Sequence, residues 1–335
     1  MRNVVIIVVV ALGTLGLVAA GGAPDFLPGR RVLLDAHNCY PYDGKWGDRI
    51  DRALQTGTPL AMEPDLAWYT DTSTGKSWSI VTHGEPYTGK EPTLETYFFE
   101  RIRQTVETAL ARDDRSQWPL ITLNMDFKSN EPEHLQAIWN VLGKYESWLT
   151  TAERVADPAK VMPLDAKPVL VLTGTSDEQQ RVFFDKVPVG SRLRLFGAAQ
   201  PVRLERGVSP ATISPDKLMT FRATNYRRWW NNPWAVVEDG GQRQAGEWTT
   251  QENARLRALV SRAHEFGLWI RFYTLNGHAD VDGQGWSEGY NFGSLEAARL
   301  RWRAAAAAGV DFIATDQYEA FAADRGSVLD RDGPR

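Results

Sequence analysis

The chain has 335 residues, of which 43% are hydrophobic and 24% are charged, a composition that excludes extensive disorder and leaves room for one large α/β domain or two small ones. Its formal net charge of -4 provides no general attraction to nucleic acid or to an anionic membrane. The single cysteine, Cys39, excludes an intrachain disulfide.

The first residues resemble an export signal. A short basic start at residues 1–3 precedes an almost uninterrupted apolar run at residues 4–18, and small residues follow at 19–23. This order predicts a signal peptide over residues 1–23, with secretion or delivery to the periplasm, and a mature domain over residues 24–335. The apolar run is of borderline length for a membrane span, so an uncleaved anchor is the lesser alternative.

Strand-like runs alternate with helical patterns along the rest of the chain. Strands are predicted at residues 31–37, 60–66, 120–126, 168–173, 191–196, 268–274 and 310–315, with a weaker strand at 218–223 and a short hairpin arm at 78–82. Helices are predicted at residues 46–55, 93–111, 132–144, 247–266 and 294–308, and residues 226–234 are predicted to be a loop. About eight strands alternating with helices favour a single-domain α/β fold, a closed (β/α)8 TIM-type barrel, over an open sheet.

Polar side chains stand where the first three strands end: His37 and Asn38, Glu63 and Asp65, and Asp126 and Lys128. The carboxyl ends of barrel strands form the active-site face, and residues two apart on a strand point the same way. Converging carboxylates would repel one another, so either their pKa values rise or a cation lies among them. An all-oxygen set of donors favours Mg²⁺ or Ca²⁺ over Zn²⁺.

The chain contains five histidines. His83 follows the hairpin arm and joins the polar groups at the strand ends. His134 and His264 fall within helical patterns and are expected at the surface, whereas His278 lies in a loop on the active-site side and is a candidate substrate contact. A single strand-end histidine or a single E-x-D pair has an ordinary structural explanation, but their joint placement on successive strands points to catalysis.

Four short segments carry a resemblance to a known group of enzymes. Asp-Ala-His-Asn at 35–38, Met-Glu-Pro-Asp at 62–65, Val-Thr-His-Gly at 81–84 and Met-Asp-Phe-Lys at 125–128 resemble the phospholipase-C-like phosphodiesterase superfamily. That superfamily includes phosphatidylinositol-specific phospholipases C, glycerophosphodiester phosphodiesterases and the sphingomyelinase D toxins. The closest likeness is to the branch typified by the altered inheritance of mitochondria protein 6 family, whose His-Asn-x-Tyr opening matches residues 37–40. Residues 273–276 and 309–316 resemble the last two strands of the glycerophosphodiesterases, whereas residues 145–245 match nothing recognisable.

The resemblance implies a metal-dependent phosphoric diester hydrolase that acts on a phospholipid headgroup or a glycerophosphodiester. It implies a catalytic pair, His37 and His83, a Mg²⁺ or Ca²⁺ site with the ligands Glu63, Asp65, Asp126 and Asn38, and substrate contacts from Lys128, Tyr273 and Asn276. Asn38 replaces the Arg of the glycerophosphodiesterase His-Arg-Gly signature, which puts that specificity in doubt. Tyr273 replaces a more usual Trp, and Asp126 a more usual Glu.

Several alternatives stay open at this point. A barrel glycoside hydrolase would use the acidic strand ends, but the two histidines and Lys128 would then have no role. A non-catalytic binding barrel is the second alternative. Residues 226–234 could form a substrate wall, a peripheral membrane contact or packing at one end of the barrel. Asp316 could touch substrate or serve a structural role, and the oligomeric state is open.

Overall fold

Eight parallel strands close into a barrel at the centre of the protein. The structure is a computed structural model that describes residues 26–42, 46–112, 114–239, 246–279 and 291–329. The predicted leader, residues 1–23, lies outside these described residues. Among the helices that the structure describes, none is long and apolar enough to cross a membrane.

The barrel strands are β1 (Leu33–Ala36), β2 (Leu60–Met62), β5 (Ile121–Phe127), β8 (Val169–Thr173), β10 (Phe196–Ala198), β11 (Arg227–Pro233), β12 (Trp269–Tyr273) and β13 (Phe312–Thr315). Each pairs in parallel with its neighbour in this order, β13 pairs with β1, and the pairing of β2 with β5 completes the ring. The predicted (β/α)8 barrel is therefore confirmed. Its strands are buried almost throughout, as expected for a parallel sheet covered by helices.

Helices connect successive strands around the outside. They are α1 (Arg49–Gln55), α2 (Glu100–Ala111), α3 (Pro132–Lys144), α4 (Asp177–Gln180), α5 (Pro215–Leu218), α6 (Thr250–Glu265), α7 (Leu295–Ala308) and α8 (Tyr318–Leu329). The π-helical segments Glu95–Phe99 and Arg181–Asp185 adjoin α2 and α4. Thr249 and Glu252 form a capping box that starts α6, and Gly309, at φ 86°, ends α7 in a left-handed conformation.

Short strands outside the ring extend two parts of the molecule. After β2 the chain continues as β3 (Asp65–Thr70), which pairs with the end of β5 and forms a hairpin with β4 (Ser77–Val81), so the predicted hairpin arm is confirmed. A second, antiparallel sheet joins β6 (Thr151–Glu153) to β7 (Leu164–Asp165) and β9 (Arg192–Leu193).

Three predicted elements differ from the structure. Residues 218–223 form no strand, because Leu218 ends helix α5 and the chain then runs irregularly. The strand predicted at 191–196 is divided between β9 in the small sheet and β10 in the barrel. Most of the loop predicted at 226–234 is instead barrel strand β11, and Trp229, Trp230 and the following Trp234 are at most 3% exposed. These indoles pack inside the protein and cannot contact a lipid surface.

Candidate active site

Strand pairing brings the predicted residues of the first two strands together. Ala36 on β1 is in register with Met62 on β2 and with Thr315 on β13, so the next residue, His37, lies between Glu63 and Asp316. The backbone bonds continue this register, because the His37 amide donates to the Thr315 carbonyl at 3.2 Å and the Glu63 amide donates to the Ala36 carbonyl at 3.0 Å. The carboxyl ends of three adjacent strands thus meet at one point.

His37 is oriented by Asp316. Its Nδ1 lies 3.0 Å from Asp316 Oδ1, and its Nε2 lies 3.4 Å from Glu63 Oε2. The Asn38 amide donates to the same Asp316 oxygen at 2.9 Å, and Asn38 Oδ1 accepts a bond from the Tyr40 hydroxyl at 2.8 Å. Asn38 has a φ of 54°, a left-handed conformation that Asn tolerates better than most residues. A carboxylate on Nδ1 favours the tautomer that carries its proton on Nδ1, in which the Nε2 lone pair can accept a proton.

The charges around His37 stabilise its protonated form. Burial alone would lower the pKa of His37, but the nearby carboxylates of Glu63 and Asp316 outweigh burial and raise that pKa above its ordinary value. For Asp316, burial opposes ionisation, but His37 and Arg49 prevail and lower the carboxyl pKa. Asp316 therefore stays ionised and supports a positive charge on the imidazole.

Arg271 lies at the floor of the site and forms ion pairs with two carboxylates. Its guanidinium donates to Asp35 Oδ2 at 2.5 Å, to Glu63 Oε2 at 2.9 Å and to Asn231 Oδ1 at 3.0 Å. The side chains of Arg271 and Asp35 are each 1% exposed. Burial raises the pKa of Glu63. The positive charges of Arg271 and His37 lower that pKa, but they offset the rise only in part, so it stays above its ordinary value.

Lys128 is shared by two further carboxylates. Its Nζ lies 2.9 Å from Asp65 Oδ2 and 2.7 Å from Asp126 Oδ2, because β3 and β5 pair in parallel with Asp65 opposite Asp126. Burial and the neighbouring Asp126 raise the pKa of Asp65 well above its ordinary value, although Lys128 opposes the rise. Burial lowers the pKa of Lys128, but the two carboxylates more than compensate and raise it overall.

His83 approaches from the loop after β4 and is exposed overall, although its ring lies against two tyrosines. Its ring lies 5.8 Å from the Tyr40 ring in a stacked arrangement and 5.9 Å from the Tyr42 ring, edge to face. Burial and the positive charge of Lys128 lower the pKa of His83. The pKa values of the two histidines are therefore shifted in opposite directions, upward for His37 and downward for His83.

One cavity of about 760 Å³ opens at this end of the barrel. Eight of the nine predicted site residues line it, together with Arg271: His37, Asn38, Glu63, Asp65, His83, Asp126, Lys128 and Tyr273. The Tyr273 ring is stacked 6.0 Å from the His37 ring. The volume suits a ligand considerably larger than a phosphate group.

Asn276 is placed differently from the other predicted site residues. It is fully buried and absent from the cavity lining. Its Nδ2 donates to Asp316 Oδ2 at 2.5 Å, and its Oδ1 accepts bonds from the Thr315 hydroxyl and the Asp316 amide. This arrangement fits a role in positioning Asp316, and the substrate contact expected of Asn276 stays a prediction. His278 also stays outside the cavity lining; its carbonyl accepts a bond from Asn291.

A divalent cation fits the donor chemistry and the charge of this site. Two cations, Arg271 and Lys128, are each shared by two carboxylates, which leaves an excess of two negative charges when all four acids are ionised. A site with this excess would repel an anionic phosphodiester unless a cation neutralised it. The carboxylate and amide oxygens are hard donors suited to Mg²⁺ or Ca²⁺. In the described parts of the chain, however, no group of three or more His, Cys, Asp or Glu side chains is arranged so that it could hold a metal ion.

Two histidines expected at the surface are internal. His134 is 0% exposed and lies 2.8 Å from the Ser79 hydroxyl and 3.1 Å from the Ser129 hydroxyl. His264 lies 2.9 Å from Asp311 Oδ2 near the opposite end of the barrel. Helical periodicity placed both residues correctly on helices, but it could not show which face packs against the barrel.

Comparison with known proteins finds solved structures of distant similarity, among them the following two. No protein-family model and no curated protein matches the chain. A calcium-dependent phosphoinositol-specific phospholipase C from the Gram-negative bacterium Pseudomonas sp. is 14% identical, with 87% of this chain and 91% of that chain covered and a TM-score of 0.45. A glycerophosphoryl diester phosphodiesterase from Parabacteroides distasonis is 12% identical, with 93% and 91% covered and a TM-score of 0.41. Since both TM-scores are below 0.5, we draw no functional conclusion from them.

Proposed function

We propose that the chain is a phosphoric diester hydrolase of the phospholipase-C-like type that uses His37 and His83 as a general base and a general acid. The observation that carries this proposal is the placement of the two histidines with Lys128 and an acidic cluster around one cavity. Asp316 on the far side of the His37 ring supplies the orienting carboxylate that such a base requires.

The proposed reaction follows from these positions. His37 removes a proton from the attacking hydroxyl or water, and Asp316 stabilises the imidazolium that forms. His83, whose pKa is lowered by burial and by Lys128, gives its proton to the departing alkoxide. If a neighbouring substrate hydroxyl attacks, the first product is a cyclic phosphate, whereas attack by water gives direct hydrolysis. The Lys128 ammonium provides positive charge for the non-bridging phosphate oxygens.

We further propose that the site binds Mg²⁺ or Ca²⁺ through Glu63, Asp65, Asp126 and Asn38. Such a cation would supply Lewis-acid stabilisation of the charge that develops on phosphate. The excess of carboxylates over cations supports this part of the proposal. The histidine pair and Lys128 also favour the phosphodiesterase over the glycoside hydrolase, because hydrolysis of a neutral glycosidic bond by two carboxylates requires neither.

Hydrolysis of bis(p-nitrophenyl) phosphate by the protein without residues 1–23 tests the proposal. We expect p-nitrophenol release with Mg²⁺ or Ca²⁺, loss of release in EDTA, and at least a hundredfold lower activity in Glu63→Gln, on the order of the loss when an electrostatic contact is removed. Glu133→Gln is the matched control, because Glu133 lies exposed on α3. Turnover that is unchanged by EDTA and by Glu63→Gln would contradict the metal-dependent mechanism.

A further inference from the structure

The lining of the cavity is divided into a charged half and a neutral half. His37, Glu63, Asp65, Asp126 and Lys128 belong to the charged half, where the reaction is proposed to occur. The opposite half is formed by the ends of β8, β10 and β11, by the start of α4 and by Asn130 in the loop after β5, and the lining residues there carry no charge. Among the carboxamides that line this neutral half, three have a side-chain oxygen bonded to a protein donor: Asn130, Gln179 and Asn231. We call these three residues the amide wall.

The side-chain oxygen of each amide accepts a hydrogen bond from the protein. Asn231 Oδ1 accepts a bond from Arg271 at 3.0 Å, and Asn130 Oδ1 accepts a bond from Gln179 Nε2 at 2.7 Å. Gln179 Oε1 accepts a bond from the Thr173 hydroxyl at 2.8 Å. A guanidinium can only donate, so the oxygen of Asn231 must face Arg271 and its NH₂ group must point away. In the structure the Asn130 oxygen likewise faces a donor, the NH₂ group of Gln179.

The consequence is a surface that offers donors rather than acceptors. All three amide oxygens are occupied by protein donors, while the structure shows no acceptor for Asn130 Nδ2 or Asn231 Nδ2 among the described residues. Gln179 is 3% exposed and holds Asn130 in place, so the wall is built into the protein rather than lying loose at the surface. Amide donors require ligand oxygens as acceptors.

These donors discriminate between classes of substituent. Hydroxyl oxygens of a polyol or a sugar can accept bonds from the wall, whereas a quaternary ammonium or a primary ammonium has no acceptor to offer. A cationic group would also face the positive ends of the N–H dipoles, and the neutral half contains no carboxylate to balance it. The cavity volume of about 760 Å³ leaves room for a ring-sized substituent beside the phosphate.

We propose that Asn130, Gln179 and Asn231 form a subsite that binds a neutral, hydroxyl-bearing substituent of the phosphodiester and selects against a cationic headgroup. This inference rests on the proposed function and assigns its substrate class. Asn231 links the wall to the reacting half through Arg271, which also holds Glu63. A substituent bound at the wall therefore lies in the same cavity as the reacting phosphate.

Two chromogenic substrates that share a leaving group test the proposal. The p-nitrophenyl diesters of myo-inositol phosphate and of phosphocholine have a neutral polyol and a cation, respectively, as headgroup. Because inositol also carries a neighbouring hydroxyl that can attack the phosphorus, the change of the kcat/KM ratio in the Asn130 variants is the deciding result. We expect kcat/KM to be at least tenfold higher for the inositol compound. Asn130→Ala should reduce this ratio about three- to tenfold, the value of one neutral hydrogen bond. Asn140→Ala, on the exposed face of α3, should leave the ratio unchanged.

Asn130→Asp provides the sharper variant. An aspartate at this position can still accept the bond from Gln179, but it presents an acceptor with a negative charge to the cavity instead of a donor. We expect it to shift the ratio towards the phosphocholine compound beyond the shift in Asn130→Ala. A wild-type protein that prefers the phosphocholine compound, or an unchanged ratio in both Asn130 variants, would overturn the subsite.

Calorimetric titration with myo-inositol 1-phosphate and with phosphocholine separates this failure from failure of the proposed function. If bis(p-nitrophenyl) phosphate is hydrolysed but the two ligands bind equally, the phosphodiesterase stands and the amide wall is wrong. If no diester is hydrolysed under any condition, the proposed function fails. Tighter binding of the inositol phosphate, weakened in Asn130→Ala, would then still support the subsite.

Discussion

Arg271 provides the most direct test of the charge arrangement beneath the site. Its guanidinium is the buried partner of both Asp35 and Glu63, so Arg271→Met leaves two carboxylates without their cation while retaining the length of the side chain. Breaking a buried ion pair by removing one partner costs about 3–5 kcal/mol. Because two carboxylates depend on this one arginine, we expect a loss of unfolding free energy at the upper end of that range at neutral pH.

The loss should depend on pH with a defined sign. Carboxylates that are buried without a cation take up protons in the folded state, so in Arg271→Met the folded protein binds more protons than the unfolded chain above about pH 4. Its stability relative to wild type must therefore fall as the pH rises, by at most about 1.4 kcal/mol per pH unit for each carboxyl group that remains protonated. The variant should be least impaired in mild acid.

Urea unfolding followed by tryptophan fluorescence at pH 5 and pH 8 measures both effects. Arg181→Met is the control, because Arg181 forms only an exposed ion pair with Glu178, and its unfolding midpoint should stay close to that of wild type. Adding Asp35→Asn to Arg271→Met should restore part of the lost stability, since one uncompensated charge is removed. A loss of unfolding free energy below about 1 kcal/mol, equal at both pH values, would show that the two carboxylates do not depend on Arg271.

Two further predictions concern Asp316 and His134. Asp316→Asn should lower kcat by roughly 10²- to 10⁴-fold with little change in the circular dichroism spectrum, because an amide can favour the wrong tautomer of His37; an unchanged kcat would remove Asp316 from the mechanism. Burial lowers the pKa of His134 to about 4. Between pH 7 and pH 5 the unfolded chain therefore takes up a proton at His134 that the folded protein does not. This difference should lower the free energy of unfolding by about 2 kcal/mol over that range. Unfolding titrations of His134→Gln should show a smaller fall over the same pH range, and an equal fall in both proteins would contradict this assignment.

Much of the site could be predicted because it follows from strand ends. Polar residues after buried strands converge in any parallel barrel, so the sequence sufficed to bring His37, Glu63, Asp65 and Asp126 to one face. The fold followed from the alternation of strands and helices. The partner of His37 was harder to foresee, since Asp316 becomes its neighbour only because β13 pairs with β1 and closes the ring.

Arg271 could not be assigned from the sequence because its role depends on distant strands. It lies within the apolar strand Trp269–Tyr273, and its partner Asp35 lies within the equally buried strand Leu33–Ala36. A single charge inside each of two buried strands was the available signal, since each requires an opposite charge in the interior. Similarly, the loop prediction for β11 was wrong because its arginines, asparagines and proline are typical of turns. Parallel pairing with β10 and with β12 outweighs that local preference.

We propose that His37 and His83 together catalyse phosphodiester hydrolysis. The most direct test compares kcat/KM for bis(p-nitrophenyl) phosphate between wild type, His37→Ala and His83→Ala, each checked for wild-type circular dichroism. We predict that each substitution lowers kcat/KM by roughly 10²- to 10⁴-fold, the contribution of a positioned acid or base. Wild-type turnover that both variants retain, or the absence of turnover with either Mg²⁺ or Ca²⁺, would contradict the claim.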